Sequence, residues 1–423
     1  MLEQAVIIAG GKGTRLKPLL NSTPKILLDI ENEKLIDFQI DYLYSNNINK
    51  IHFCLGFGSE EILEHLTKRN IDYTYSLESK PLGTYGALAN AKKFLDSNFF
   101  VMYGDILTNF NIQKGYEKFK ELKSDFHLIV RYTNHPEDSD IVLLSEKKQV
   151  LNITRSEELD FPYMPLGNTA IFFGTKKAIS QENQNFPLDV FKDYIKSNIK
   201  NYKITGSISS DYIRDIGTVD RYKKEIFDFR DKIKSSQKVA LFDRDGTLIH
   251  DQGNENNPSK LTFKKDILKV IEYLQKNYYK IFMISNQPGI AKGFFTSKEV
   301  EKFNAKLQHE LIKNGLNPLD GIYICPHHPE KGHKGEIKKL KITCTCRKPQ
   351  TGLFDQLLND NNLENSNFIF LGDTIVDYEF SLKLNIPFYL IESNLTEKSE
   401  FEKKDIVIYK KSKDLILELE KAK

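Results

Sequence analysis

The chain has 423 residues, of which 40% are hydrophobic and 28% charged, a composition typical of a globular protein with two or three domains. Its 61 basic and 58 acidic residues leave a formal net charge of +3, which argues against a dedicated nucleic-acid or membrane-binding surface. No apolar stretch reaches the roughly 18 residues that a membrane span needs, and residues 1–8 lack the basic start of a signal peptide. We therefore expect a cytoplasmic protein.

The first half of the chain alternates short apolar runs with amphipathic segments. The predicted strands are Gln4–Ile8, Ile51–Leu55, Phe99–Tyr103 and Phe126–Arg131, and the predicted helices are Leu35–Tyr44, Glu60–Arg69, Gly83–Phe94 and Val219–Ile233. This alternation predicts a largely parallel sheet with helices on both faces.

A second alternating series begins at the apolar run Lys238–Phe242. It continues through Ile267–Lys276, Lys280–Ile284, Ser297–Lys313, Gly321–Cys325, Phe354–Asn359, Phe368–Leu371 and Pro387–Ile391. We therefore predict an α/β protein with two domains, residues 1–235 and residues 236–423. The Lys/Glu-rich tail from Lys398 is predicted to be a solvated strand and helix.

A glycine-rich turn, Gly10–Arg15, follows the first predicted strand. Glycines let backbone N–H groups approach a phosphate closely, and Lys12 and Arg15 add charge-assisted contacts. The turn is neither a Walker P-loop nor a dinucleotide-binding fingerprint. Taken alone, it is equally typical of a tight strand-to-helix turn.

Four further segments decide between these readings: Pro24-Lys25, Glu78–Thr84, Gly104-Asp105 and Asp215–Thr218. In order and spacing they resemble the sugar-1-phosphate nucleotidyltransferases, over Met1 to Arg230. The heptose-1-phosphate and mannose-1-phosphate guanylyltransferases are the most similar members. The resemblance implies a Rossmann-like domain with a mixed sheet.

The resemblance also implies roles for single residues. Asp105 and Asp215 would hold Mg²⁺, Arg15 and Lys12 would neutralise the triphosphate, and Lys25 would neutralise the transferring α-phosphate. Glu78 and the backbone at Leu82 and Gly83 would face the base, where a carboxylate suits the two donors of guanine. The implied nucleotide-binding set is Gly10, Gly11, Lys12, Gly13, Thr14, Arg15, Glu78, Leu82 and Gly83.

The sugar side of this domain departs from the family pattern. Asn168 matches the asparagine that contacts the sugar. The family usually has glycine where Ala170 stands, and its Glu-Lys-Pro motif is missing before Asn168, where Arg155 and Glu157 lie instead.

A different chemistry is indicated by Asp243–Thr247, in which two carboxylates follow a buried strand. One aspartate can attack phosphorus while the other protonates the leaving oxygen and then activates water. Ser285–Gln287, Arg347–Pro349 and Gly372–Asp377 follow. Together they resemble the four motifs of haloacid dehalogenase-type phosphatases, over Lys238 to Ser393.

By this resemblance Asp243 is the nucleophile and Asp245 the general acid and base. Phosphate or sugar contacts would come from Ser285, Asn286, Arg347 and Lys348. A magnesium ion would be held by Asp243, the carbonyl of Asp245 and Asp373, and Asp377 would orient Lys348 or the metal shell.

Three of the four cysteines cluster, which favours a metal site over disulfides. Cys325, His327, Cys344 and Cys346 form a Cys₃His set typical of structural zinc. His328 and His333 are predicted to stay outside it. The alternative is a chance grouping of buried cysteines.

The resemblance is greatest to the heptose 1,7-bisphosphate 7-phosphatases, and it is carried by the segments Ser285–Thr296, Asp320–Pro329 and Cys344–Pro349. Histidinol-phosphate phosphatase is the next most similar type. The segment between His327 and Cys344 is longer than usual, and Thr374 stands where the subtype often has lysine.

Together the two halves predict a bifunctional enzyme that uses heptose phosphates, GTP, Mg²⁺ at both sites and structural Zn²⁺ to make GDP-heptose. Three alternatives remain open. They are a hexose-1-phosphate nucleotidyltransferase fused to a sugar or histidinol phosphatase, the ADP-heptose branch, and a scaffold with inactive domains. The oligomeric state does not follow from the sequence.

Overall fold

The computed structural model describes residues 1–16, 23–180, 185–226, 229, 238–253, 255–364, 366–404 and 406–421. The chain divides into two compact units. Unit 1 comprises Met1–Arg131, Pro136–Glu158 and Leu166–Ile233, and unit 2 comprises Tyr132–His135, Leu159–Pro165 and Lys234–Lys423. The predicted boundary at residues 235 and 236 lies outside the described residues and stays a prediction.

The first half of the chain contains thirteen strands among the described residues. They are β1 Gln4–Ile8, β2 Asp29–Ile30, β3 Glu33–Lys34, β4 Lys50–Leu55, β5 Tyr73–Leu77, β6 Asn98–Tyr103, β7 Ile106–Thr108, β8 Phe126–Tyr132, β9 Ile141–Leu144, β10 Val150–Thr154, β11 Leu166–Thr175, β12 Ile204–Ile208 and β13 Ile213–Asp215. The α-helices of this half are α1 Leu35–Ser45, α2 Ser59–Arg69, α3 Gly83–Asn90, α4 Ile112–Glu121 and α5 Val219–Ile226, and a π-helical turn covers Val190–Ile195.

The main sheet has the order β10-β9-β11-β6-β1-β4-β5, with β8 pairing with β11 and β12. Strand β1 is parallel to β4 and β6, whereas β11 is antiparallel to β6. The predicted mixed sheet is therefore confirmed. All five residues of β1 are buried, because helices cover both faces of a sheet with parallel strands at its centre.

Helix boundaries follow local signals in the sequence. Helix α2 carries Glu60 and Glu61 in its first turn and Lys68 and Arg69 in its last, which complements the helix dipole. The predicted helix Gly83–Phe94 is shorter than expected: α3 ends at Asn90, and a 3₁₀ turn covers Lys92–Phe94. Residues 230–233 of the predicted helix Val219–Ile233 lie outside the described residues.

Unit 2 contains one six-stranded, wholly parallel sheet. Its strands are β14 Lys238–Phe242, β15 Lys280–Asn286, β16 Gly321–Cys325, β17 Asn367–Gly372, β18 Phe388–Ile391 and β19 Ile408–Tyr409, in the order β16-β15-β14-β17-β18-β19. The chain order of strands reverses between β14 and β17. In open parallel sheets, ligands bind at such a switch point, beyond the carboxyl ends of the strands.

The helices of unit 2 are α6 Ile267–Lys276, α7 Pro288–Lys292, α8 Ser297–Lys313, α9 Gly352–Asp360, α10 Ile375–Leu384, α11 Lys398–Glu402 and α12 Ser412–Lys421. The predicted solvated tail is partly wrong. Phe401 is fully buried, and Leu415 and Leu419 of α12 belong to the core cluster that contains residues of α6. The apolar face of α12 covers a sheet face that would otherwise meet water.

Two short segments from the first half of the chain belong to unit 2. Within the unit, Nε2 of His309 lies 2.9 Å from the carbonyl oxygen of Tyr163, and the rings of Phe161 and His309 lie 4.9 Å apart. Among the described helices, none is long and apolar enough to span a membrane.

Candidate functional site

The first candidate site lies at the switch point of the parallel sheet in unit 2. Asp243 follows β14 and Asp373 follows β17, and these two strands are neighbours in the sheet. Asp377 lies in the first turn of α10. Carboxylate oxygens of Asp243, Asp373 and Asp377 all lie within 4.8 Å of one another, and all three residues are buried.

One lysine is shared by two of these carboxylates. The Nζ atom of Lys348 lies 2.6 Å from Oδ1 of Asp243 and 2.7 Å from Oδ1 of Asp377. The pKa of Asp243 is raised, mainly because the carboxyl group is buried. The positive charge of Lys348 lowers this pKa, the negative charges of Asp377 and Asp245 raise it, and the net shift is upward. Burial and the neighbouring carboxylates likewise raise the pKa of Asp373.

Three buried carboxylates beside one ammonium leave a negative excess, which favours a bound cation. Oxygen ligands in this number suit Mg²⁺. Asp373 is also fixed by two hydroxyl groups, since Thr247 donates to Oδ1 at 2.9 Å and Ser393 donates to Oδ2 at 2.6 Å. Sequence reasoning missed both roles; Thr247 stood within a motif, whereas Ser393 had no local signal.

The carboxylate of Asp245 stands apart from this cluster. It accepts hydrogen bonds from Nε of Arg244 at 3.1 Å and from Nε2 of Gln287 at 2.7 Å. Arg244 is 2% exposed and also donates to Gln287 and Asn304. The buried guanidinium of Arg244 thus orients Asp245. Sequence reasoning did not assign a role to Arg244, although it lies within the motif Asp243–Thr247.

A cavity of 310 Å³ opens beside these residues. Its lining includes Asp243, Asp245, Asn286, Lys292, Arg347 and Lys348. Asn286 exchanges hydrogen bonds with the backbone of Lys348, at 2.9 and 3.0 Å, and thereby positions that lysine. Ser285 is 1% exposed and accepts from Gln287 at 3.0 Å, and Gln287 itself lines the cavity.

The four predicted zinc ligands come together in unit 2. The Sγ atoms of Cys325, Cys344 and Cys346 lie 3.2–3.6 Å apart, and Nδ1 of His327 lies 3.2 Å from Sγ of Cys346. A tetrahedral zinc site with Zn–S bonds near 2.3 Å has sulfur–sulfur edges of about 3.8 Å. The cluster could therefore hold zinc. His328 lies outside this ligand group.

The second candidate site lies in unit 1, where the glycine turn follows β1 and Asp105 follows β6, its parallel neighbour. Lys25 forms an ion pair with Asp105. Asp215 pairs with Arg221 at 2.8 Å, and the N–H of Ile216 donates to the carbonyl of Asp105 at 3.0 Å. Asp215 ends β13, which pairs with β7 directly after Asp105, so the two predicted magnesium ligands lie close together beyond the carboxyl end of β6.

Basic side chains converge on the same place. A Cβ atom at Gly217 would stand 2.8 Å from Oδ1 of Asp215, 3.3 Å from a guanidinium nitrogen of Arg15 and 3.5 Å from Nζ of Lys25. Burial raises the pKa of Asp215, but the charge of Arg221 and hydrogen bonds outweigh it, so the net shift is downward. An ionised Asp215 beside three cations suits a phosphate–metal complex. Lys12 is exposed in the turn.

The residues predicted to face the base lie beside the start of the glycine turn in unit 1. Glu78 accepts a hydrogen bond from the N–H of Leu82 at 3.0 Å, and its Oε1 atom lies 2.8 Å from where a Cβ of Gly10 would stand. Burial raises the pKa of Glu78. Gly83 has a φ of +75° and begins α3.

The predicted sugar contact Asn168 is engaged locally, since its Oδ1 atom accepts from the N–H of Ala170 at 3.1 Å. Ala170 has a φ of +59°, a left-handed conformation that favours glycine. The departure from the family pattern therefore places an alanine in glycine-like backbone geometry.

Comparison with known proteins divides the chain in the same way. The family model described as nucleotidyl transferase matches residues 4–154, and the one described as polynucleotide kinase 3 phosphatase matches residues 238–408. A probable D-glycero-D-manno-heptose-1,7-bisphosphate 7-phosphatase of Thermoplasma volcanium is 34% identical over 155 residues, which cover 36% of this chain and 98% of the relative. Through unit 2, the chain belongs to the heptose bisphosphate phosphatase family.

The N-terminal part of the chain is a nucleotidyltransferase domain. The D-glycero-alpha-D-manno-heptose 1-phosphate guanylyltransferase of Campylobacter jejuni is 29% identical over 224 residues, which cover 52% of this chain and 96% of the relative. The crystal structure of HddC from Yersinia pseudotuberculosis covers 54% of this chain and 100% of its own, with 24% identity and a TM-score of 0.47.

Proposed function

We propose that this protein is a bifunctional enzyme that carries out two successive steps on one heptose. Unit 2 hydrolyses the 7-phosphate of D-glycero-D-manno-heptose 1,7-bisphosphate. Unit 1 then transfers GMP from GTP to the remaining heptose 1-phosphate, which gives GDP-D-glycero-α-D-manno-heptose and pyrophosphate. One observation carries the proposal: the relatives of the two halves are named for reactions in which the product of one is the substrate of the other.

The proposed hydrolysis uses Asp243 as the nucleophile. Its carboxylate oxygen attacks the phosphorus of the 7-phosphate, the bond from phosphorus to O7 breaks, and Asp245 gives its proton to the departing O7. Asp245 then takes a proton from a water molecule that attacks the acyl phosphate, which releases phosphate and regenerates Asp243. Arg244 and Gln287 hold Asp245 ready for both transfers.

Lys348 keeps Asp243 oriented and offers its charge to the transferring phosphoryl group. Asp243, Asp373 and the carbonyl of Asp245 would hold Mg²⁺, which supplies charge neutralisation between carboxylate and phosphate. Cys325, His327, Cys344 and Cys346 would hold a structural zinc ion that stabilises the loop carrying Arg347.

In the proposed transfer, a phosphate oxygen of heptose 1-phosphate attacks the α-phosphorus of GTP and pyrophosphate leaves. Arg15 and Lys25 stabilise the charge that builds on the triphosphate, and Asp105 and Asp215 would hold the Mg²⁺ that supplies further neutralisation. Glu78 accepts the N1–H and N2–H₂ donors of guanine. Both reactions would take place in the cytoplasm, where GTP is available.

The order of the steps requires that both units use one and the same anomer. Hydrolysis at O7 leaves C1 untouched, so both units must accept the same anomer. The guanylyltransferase relative is named for the α-anomer, whereas five of the phosphatase relatives are named for the β-bisphosphate. We propose that unit 2 matches unit 1 and prefers the α-bisphosphate. Parallel assays with α- and β-bisphosphate check this preference.

The test is to incubate the protein with heptose 1,7-bisphosphate, GTP and Mg²⁺ and to measure phosphate and nucleotide-heptose. Asp243→Asn should abolish phosphate release but leave transfer to supplied heptose 1-phosphate intact. Asp105→Asn should do the reverse, and each variant serves as the control for the other. A wild-type protein that forms neither product would refute the proposal. Offering all four nucleoside triphosphates and mannose or glucose 1-phosphate separates GDP-heptose formation from the ADP-heptose and hexose alternatives.

A further inference from the structure

A cluster of polar side chains in unit 1, next to the transferase residues, has no role assigned above. Asp140 precedes β9, Arg155 follows β10, and Lys192 lies in the π-helical turn. Nε of Arg155 lies 3.5 Å and Nζ of Lys192 lies 3.7 Å from Oδ1 of Asp140. We call these three residues, together with Tyr103, the acceptor corner.

The two ion pairs of the acceptor corner are loose. Charge-assisted hydrogen bonds between such groups are ordinarily about 2.7–2.9 Å long. The side chains of Arg155 and Lys192 are 40% and 50% exposed, whereas that of Asp140 is 19% exposed. Both cations therefore reach solvent and can turn to an incoming anion without first breaking a short hydrogen bond.

Tyr103 connects the corner to the transferase residues. It immediately precedes Gly104-Asp105 at the end of β6, and its hydroxyl is buried beside the Thr84 side chain, without a hydrogen bond of good geometry among the described residues. Burial raises the pKa of this hydroxyl well above its ordinary value, and the charges of Asp189, Asp105 and Asp140 add to the shift. Because Thr84 donates to Asp189 and accepts from Val190, the Tyr103 hydroxyl retains hydrogen-bonding capacity for a ligand.

The backbone that carries Lys192 is tied to the start of α3. Thr84 donates to Oδ2 of Asp189 at 2.9 Å and accepts from the N–H of Val190 at 2.8 Å. Oδ1 of Asp189 accepts from the N–H of Lys192 at 3.0 Å. π-helical turns are rare and occur frequently at functional sites. The corner is therefore held by the same segment that carries Gly83.

We propose that the acceptor corner binds the sugar 1-phosphate: Arg155 and Lys192 bind its phosphate, and Asp140 and the Tyr103 hydroxyl bind ring hydroxyl groups. This inference rests on the proposed transferase activity of unit 1. Guanidinium and ammonium groups are the usual partners of a phosphate dianion, and a carboxylate can accept from two sugar hydroxyls at once.

A purely structural reading makes a different prediction. Partly exposed ion pairs contribute little to stability. If Lys192 and Arg155 only form such pairs, replacing them should change neither the stability nor the kinetics of transfer. Kinetics with each substrate varied in turn distinguish the two readings, because loss of ground-state binding raises the KM of one substrate alone.

The experiment measures transfer with heptose 1-phosphate varied at saturating GTP, and then with GTP varied at saturating heptose 1-phosphate. Lys192→Met and Arg155→Met should each raise the KM for heptose 1-phosphate about 10–100-fold, the loss expected for one hydrogen bond to a charged group. The KM for GTP should change less than about twofold. Lys192→Arg should recover most of the loss. Lys177→Met is the matched control, since Lys177 pairs with Asp125 and is 76% exposed.

A second experiment distinguishes binding of the phosphate group from binding of the sugar ring. Inorganic phosphate should inhibit the wild-type transferase, and Lys192→Met should weaken that inhibition whereas Asp140→Asn should not. An unchanged KM for heptose 1-phosphate in both methionine variants would overturn the inference, as would an equal rise in the KM for GTP. If the wild-type protein transfers to no sugar 1-phosphate, the proposed function itself fails and the inference with it.

Discussion

The ammonium group of Lys348 lies 2.6 Å from Oδ1 of Asp243 and is 2% exposed. The same Nζ atom also forms an ion pair with Asp377, so one buried cation compensates the charge of two buried carboxylates. Removing it leaves those charges uncompensated, and the loss of one partner from a buried pair costs about 3–5 kcal/mol.

We therefore expect Lys348→Met to lower the free energy of unfolding by about 3–5 kcal/mol when Mg²⁺ is absent. Chemical denaturation in EDTA measures it. Phosphate release should also be lost, whereas nucleotidyl transfer should remain. Lys276→Met is the control, because Lys276 forms an exposed pair with Glu272. Equal unfolding free energies for Lys348→Met and wild type would contradict this prediction.

Magnesium and pH should act on the stability of unit 2 together. Burial raises the pKa of both Asp243 and Asp373. The folded state then binds more protons than the unfolded state once the pH exceeds about 4, so stability present at low pH is lost as the pH rises through the raised pKa values.

Without Mg²⁺, the unfolding temperature of unit 2 should fall between about pH 5 and about pH 8. Mg²⁺ should stabilise it more at the upper end, where the carboxylates are ionised. Thermal scans in EDTA and in Mg²⁺ check both trends. Asp373→Asn removes one of the two groups and should flatten the slope; a slope as steep as that of wild type would argue against this assignment.

Gly246 is predicted to be irreplaceable for a steric reason. Its φ is +79°, and a Cβ atom there would stand 2.0 Å from Oδ2 of Asp373. Gly315 has a similar φ of +76° but no described atom within 4 Å of its Cβ position. Both substitutions by alanine place a side chain in the left-handed region, at a cost of roughly 1–2 kcal/mol.

Gly246→Ala should therefore cost more stability than Gly315→Ala and should abolish phosphate release, because Asp373 must move. Gly315→Ala should keep full phosphatase activity. Denaturation curves and initial rates of the two purified variants provide the comparison. Retention of phosphatase activity by Gly246→Ala would show that Asp373 need not stay in place.

We expect one zinc ion per chain, held by the Cys/His cluster of unit 2. Cys344→Ser should lose it, lower the unfolding temperature of unit 2 and spare nucleotidyl transfer, because a structural zinc site contributes directly to folding. Elemental analysis and thermal scans give the two readouts. Cys54→Ser is the control, since Cys54 is buried in unit 1 and outside the cluster. Zinc content unaffected by Cys344→Ser would place the metal elsewhere.

Glu78 is predicted to select guanine. Its carboxylate is held by the N–H of Leu82 and retains acceptor capacity for the base. Glu78→Gln should raise the KM for GTP about tenfold or more, the loss of one hydrogen bond to a charged group. ITP lacks the 2-amino group, so wild type should prefer GTP to ITP and the variant should not. A GTP preference that survives the substitution would assign base selection to other residues.

Much of the architecture was predictable from local sequence patterns. The strands Gln4–Ile8 and Lys238–Phe242 and the helices Ile267–Lys276 and Ser297–Lys313 have the predicted bounds. An apolar run of strand length indicates a strand that is buried on both faces. A carboxylate that closely follows such a run must lie near the carboxyl end of that strand. By that reasoning Asp105, Asp243 and Asp373 are predicted to lie at the carboxyl ends of their strands.

Relationships between distant segments were not predictable in this way. The burial of Arg244 against Asn304, the bond from Ser393 to Asp373, and the packing of the tail helix all join residues far apart in sequence. None leaves a periodic signal, because each depends on which strands become neighbours. The membership of Leu159–Pro165 in unit 2 is of the same kind.

By itself, the sequence determined the class of chemistry, since the order and spacing of the carboxylates, glycines and cysteines along the chain are local properties. Only the tertiary structure decided which charges meet. Lys348 lies 105 residues from Asp243, and the two cations beside Asp140 come from two other segments. The physical reason is that electrostatic and hydrogen-bond energies depend on distance in space, and chain folding alone sets that distance.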